Sequence, residues 1–179
     1  MPSNKDRLYV ALYARGGAPT MPGKEDTYHW ALIVGPKVET RDKRGVRYHV
    51  IEEPRFEGGS KWCFKEQSCA LNATSMLLVR VMIGKVEDRK SLVGILHKTP
   101  IRQGEEGWNC VSWVKEALET LQADDKTLGT SVVEWQKVRD EAMEYCQRKK
   151  DQHRFDGQGD FDMSKPPTYD LIRRKETIT

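Results

Sequence analysis

Apolar residues recur at every second position through the first half of the chain and at every third or fourth through the second. That change of period limits the fold more than any other feature. Leu8, Val10 and Leu12 alternate with Tyr9, Ala11 and Tyr13, as in a strand. Residues 28–34 are rich in aromatic and branched side chains and end at Gly35-Pro36, and residues 46–52 follow a charged turn and stop at Pro54. Residues 62–64 make a weaker strand candidate. Within residues 76–86, Leu77, Val79, Val81 and Ile83 form one apolar face, and Met76, Leu78 and Met82 the other. Two apolar faces predict a central strand covered on both sides.

Helical spacing follows. Asp88 can cap a short helix reaching about His97, which Pro100 terminates. Asn109 can cap residues 110–121, whose Cys110, Val114, Ala117, Leu118 and Leu121 form one stripe. Ser131 and Glu134 predict a capping box for a helix to about Lys150, with Trp135, Val138, Ala142, Tyr145 and Cys146 on its apolar face. Strands first and helices later predict an α+β domain, a mainly antiparallel sheet packed by helices, over residues 1–150. Gly157, Gly159, Pro166 and Pro167 break residues 151–179 into a polar tail. Its cluster of Tyr169, Leu171 and Ile172 leaves docking and disorder both open.

The 179 residues carry a formal net charge of +3, too small by itself to imply nucleic acid or an anionic membrane. Lys37, Arg41, Lys43, Arg44 and Arg47 concentrate in one turn, read either as a solvated hairpin tip or as a phosphate-contacting patch. The longest apolar run, residues 76–83, contains Arg80 and is too short to span a bilayer. A soluble, cytoplasmic protein is expected, with Cys63, Cys69, Cys110 and Cys146 as free thiols. No Cys-x-x-Cys or His-x-x-x-His pair occurs, so neither a metal nor another cofactor is expected.

Cys110 differs from the other cysteines because it opens a helix, where free amides and the helix dipole favour a thiolate. His29 shares a strand face with Ala31 and Ile33, and His49 shares one with Arg47 and Ile51. If the two strands pair about the charged turn, the imidazoles become cross-strand neighbours. One would accept the thiol proton while the other orients it. Separately, each residue has a plain structural explanation, as a core thiol or a hydrogen-bonded strand histidine.

The segments His29-Trp30-Ala31-Leu32-Ile33-Val34-Gly35, Tyr48-His49-Val50-Ile51 and Asn109-Cys110-Val111-Ser112-Trp113-Val114 resemble, in order and chemistry, the lecithin:retinol acyltransferase group. That resemblance implies a circularly permuted papain-like fold, with Cys110 as nucleophile, His29 as general base and His49 as the orienting histidine. Trp30, Trp108 and Asn109, beside these residues, are expected to contact substrate. Glu52 and Glu53, beside the His49 strand, would read a cationic side chain. Val111-Ser112 stands where that group usually has Glu-His, and a soluble substrate is expected in place of a phospholipid. The whole chain also resembles short fungal proteins sharing the Trp108-Asn109-Cys110 and 153–157 regions. The expected reaction is acyl transfer or hydrolysis through a thioester. The alternatives are peptide-bond or cyclodipeptide formation from aminoacyl-tRNA, held through the Lys37 to Arg47 turn, an amidase or cysteine peptidase, and a non-catalytic binding module.

Overall fold

A computed structural model describes residues 4–74 and 76–179. Eight strands form one sheet: β1 (Arg7–Ala14), β2 (Tyr28–Gly35), β3 (Arg44–Pro54), β4 (Ser60–Ala70), β5 (Leu77–Val86), β6 (Leu128–Ser131), β7 (Thr168–Asp170) and β8 (Lys175–Ile178). The helices are α1 (Arg89–Lys98), α2 (Cys110–Ala123) and α3 (Trp135–Asp151). The sheet order is β4-β3-β2-β1-β5-β7-β8, with β6 also on β5, and only the β5–β7 pair is parallel. The expected α+β class and mainly antiparallel sheet are therefore present.

Alternation gives the sheet two unlike faces. Leu8, Val10, Leu12, Trp30, Leu32, Val79, Val81 and Ile83 face the helices and form the main core with Trp113, Leu118, Val138 and Tyr145. Tyr9, Ala11, Tyr13, Ala31, Ile33 and Leu71 form a smaller cluster on the other face. A register shift corrects the reading of β5: Leu12 faces Val79 but Tyr13 faces Leu77. The extra residue, Leu78, bulges, so Leu77 joins the smaller cluster while Val79, Val81 and Ile83 stay on the helix face.

Two further elements depart from the sequence reading. β4 runs over eleven residues, not three. It is the edge strand, and its Lys61, Lys65 and Glu66 blur the apolar signal while discouraging pairing with another chain. Ser131 does not cap α3, because it ends β6 opposite Gly84; the cap position is Glu134, with no side-chain hydrogen bond to the helix. The polar tail docks, as β7 lies beside β5 and β8 pairs with β7. No helix among the described residues is long and apolar enough to cross a membrane.

One irregularity positions the site. The β2–β3 ladder covers only residues 32–34 against 46–48, although β2 starts at Tyr28 and β3 continues to Pro54. β3 stays paired with β4 to its end and so leaves β2. The edge of β2 at residues 28–31 is open on that side, and α2 packs on both strands.

Candidate active site

The first turn of α2 is built by its cap. Asn109 Oδ1 accepts the amides of Val111 (2.9 Å) and Ser112 (3.3 Å), and Ser112 Oγ accepts the amide of Asn109 (3.2 Å). This reciprocal arrangement leaves the Cys110 amide without a partner among the described residues. Asn109 is thus committed to the helix, which corrects its expected role at substrate.

The Cys110 thiol is buried, with the residue 3% exposed. Burial pushes its pKa above the usual thiol value, against the lowering effect of the Trp30 amide, the Arg15 charge and the amides of Val111 and Cys110 itself. Desolvation outweighs the helix start, so the resting group is a thiol, not the expected thiolate. Among the described residues no hydrogen bond joins the sulfur to His29 or His49, and from β2 it is the Trp30 amide that favours its anion.

The two histidines meet as the hairpin requires. His29 faces Tyr13 across β1–β2, on the sheet face away from the helices. Its Nε2 lies 2.7 Å from His49 Nδ1, and His49 Nε2 lies 3.2 Å from Gln67 Oε1. Arg47 Nη2 donates to the same Gln67 oxygen at 2.9 Å. A guanidinium can only donate, so it fixes the Gln67 amide with its oxygen toward both groups. His49 must then carry its proton on Nε2 and accept at Nδ1. His29 in turn donates from Nε2, which leaves an unshared pair on Nδ1. A relay of Arg47, Gln67 and His49 thereby sets the tautomer of His29.

Both rings are held neutral. Burial, then His49 and the Arg47 and Arg15 charges, lowers the His29 pKa to about 3. Burial and Arg47 lower that of His49 to about 4, against the raising effect of Gln67. Each ring titrates below its unfolded value, so the unfolded chain binds more protons between about pH 4 and pH 6.5. Stability should be full above pH 6.5 and fall by a few kcal/mol on acidification toward pH 4, since each tenfold loss of proton affinity on folding is worth about 1.4 kcal/mol. Urea midpoints at pH 7 and pH 4.5 check this, and a His29→Gln/His49→Gln variant should show a much flatter profile.

Sequence reasoning missed three of these residues. Gln67 lies in the part of β4 that the weak pattern did not reach, and Arg47 was counted in the basic turn. Arg47 instead lies over the Tyr13 ring at 5.3 Å and leaves the turn for the relay. Arg15 follows β1 on the face shared by Tyr13 and His29, and its Nη1 donates to the Asp26 carbonyl at 2.7 Å. Its charge acts on Cys110 and His29 alike. Continuing the alternation two residues past Tyr13 would have exposed it.

Other expected contacts fall elsewhere. Trp30 is fully buried, its indole 5.4 Å from that of Trp135 and its Nε1 donating to Glu25 O at 2.8 Å. It is a core residue, not a substrate contact, because even positions of β2 face the helices. Glu52 accepts from Ser60 Oγ at 2.5 Å, and Glu53 pairs with Lys65, so both are engaged within the β3–β4 hairpin. Trp108 packs edge-on against Trp62 and borders a cleft of about 600 Å³ with Met21, Val111, Ser112 and Trp135. That cleft flanks the start of α2, and Cys110, His29 and His49 are not among its lining residues. Among the described residues, no three His, Cys, Asp or Glu side chains are grouped to hold a metal ion.

Residues 5–178 match a protein family described as a family of unknown function (DUF6914). No curated protein and no solved structure matches the chain.

Proposed function

We propose that this chain, which belongs to the family of unknown function DUF6914, carries an acyl group as a thioester on Cys110 and passes it to water or an amine. The observation that carries this reading is the relay that leaves an unshared pair on His29 Nδ1, one residue before the Trp30 amide that favours the Cys110 anion.

His29 faces away from α2, so in this reading its ring must swing around the open edge of β2, where no β3 residue pairs, for Nδ1 to take the thiol proton. The sulfur attacks the carbonyl carbon of an ester or amide, and the unpaired Cys110 amide donates to the oxyanion. Collapse returns the proton from His29 to the departing alcohol or amine and leaves the thioester. Water or an amine then loses a proton to His29 and attacks the thioester, and the released sulfur takes the proton back. The imidazolium forms only in passing, because burial, and after it His49, Arg47 and Arg15, oppose it. Proton transfer is therefore coupled to attack, with no standing ion pair.

Aminoacyl-tRNA as donor gains little from Arg47, whose guanidinium is engaged by Gln67 and the Tyr13 ring. A simple activated ester is the direct probe. After incubation with p-nitrophenyl acetate near pH 7.5, intact mass and peptide mapping should find one acetyl group on Cys110. Cys63, although more exposed, should lag, and Cys110→Ala should stay unlabelled. Labelling of Cys63 alone, or equal slow labelling of all four cysteines, would favour the non-catalytic binding module.

A further inference from the structure

We propose that a pocket at the far end of β1 binds a phosphate-sized dianion, independently of the Cys110 chemistry. Arg7 and Lys85 sit directly opposite each other across the antiparallel β1–β5 pair. Like charges in that relation repel, and such pairs destabilise a sheet. Arg7 is only 9% exposed, which makes the placement costlier.

No carboxylate relieves it. Asp6 is paired with Arg89, Glu87 with Lys5, Glu39 with Arg80 and Asp170 with Arg173. Arg7 Nη1 donates only to the main-chain oxygens of Lys5 (2.6 Å) and Asp6 (3.5 Å). Among the described residues neither Lys85 nor Lys37 makes an ion pair.

These cations converge on a cavity. Arg7, Lys37, Lys85 and Arg173 line a space of about 220 Å³, with Asp170 as its one carboxylate and Met82 and Ile172 as its apolar wall. Asp170 accepts from Arg173 through both oxygens, at 3.0 Å and 2.7 Å, so three positive charges remain uncompensated. That excess suits a dianion, and a guanidinium in the wall offers planar donors for its oxygens. The volume falls below the range typical of drug-sized ligands and fits a phosphoryl group with little attached. The seven steps of β1 between Arg7 and Ala14 span about 23 Å at 3.3 Å each. Arg15, whose charge acts on Cys110, lies beyond Ala14, so the pocket lies well clear of Cys110.

Inorganic phosphate and glycerol phosphate, each against chloride at matched ionic strength, test the assignment by thermal melting and titration calorimetry. A hundredfold excess over Kd should raise Tm by about 7 °C. A tighter ester assigns a phosphorylated metabolite, and equal affinities assign free phosphate. Lys85→Glu supplies the missing carboxylate opposite Arg7. It should raise Tm without phosphate and weaken phosphate binding at least tenfold; Lys37→Gln, on the surface, should weaken it less. The proposal is overturned if neither anion raises Tm above chloride, or if Lys85→Glu keeps the native phosphate response.

Discussion

Replacing His29 with alanine should slow acylation of Cys110 by p-nitrophenyl acetate by about 10²–10⁴-fold, the usual worth of an oriented general base. The effect is expected to be large because the resting sulfur is protonated: burial lifts the thiol pKa, so little thiolate exists at neutral pH to react unaided. His29→Ala removes the only unshared pair that the relay directs, whereas Gln67→Leu keeps the ring and releases its tautomer. The second change should therefore cost less, about tenfold, and should redistribute the ring protons of both histidines in nitrogen NMR spectra. Added imidazole should restore part of the rate in His29→Ala but none in Cys110→Ala. Unaltered acylation in a folded His29→Ala protein would mean that the imidazole pair serves only to fill the second face of the sheet.

The parts of this site that were legible in the sequence are those governed by local period. Alternation alone placed His29 with Ala31 and Ile33, and His49 with Arg47, and the charged turn after Gly35 brought the two faces together as a hairpin. Asn109 as a cap was equally readable, since the residue type and the following apolar stripe agree. The failures have a different origin. Leu77 changes face because of a bulge opposite β1, and a bulge belongs to the pairing of two strands, not to either sequence. Gln67 was hidden because an edge strand needs little apolar content, so β4 lacked the pattern that marks β1 and β2. The ionisation of Cys110 turned on two opposed effects, of which only the helix start is visible before burial is known. Trp30 shows the opposite lesson: its even position already put it with Leu32 and Val34, away from His29. Reading that parity through would have assigned it to the core.

The second large effect is expected in the tail, where Arg154→Ala should destabilise the protein by about 3–5 kcal/mol. His153 adopts a left-handed φ of 62° just after α3, and that turn sends Arg154 inward, where it is 2% exposed. Its guanidinium donates to the main-chain oxygens of Lys165 (2.7 Å), Asp162 (3.2 Å) and Thr179 (3.3 Å). Alanine empties the space of a side chain that is itself buried and packs over the Phe161 ring at 5.1 Å, and truncating a large buried side chain costs about 2–5 kcal/mol. Arg154→Lys should recover only part, because one ammonium lacks the planar fork that reaches three separate oxygens. Urea denaturation measures the loss, and hydrogen exchange locates it. The parallel β5–β7 pair has no tight turn to hold its register, and β7 has only three residues, so its persistence depends on side-chain anchors. Lys149 and Tyr145, both at the Glu176 carboxylate, and Arg80 at Thr168 Oγ1 are further anchors. Amides of β7 and β8 should lose protection first in Arg154→Ala, while β1 and β2 keep theirs. A change below 1 kcal/mol, with β7 exchange unaltered, would show that the remaining anchors hold the tail without it.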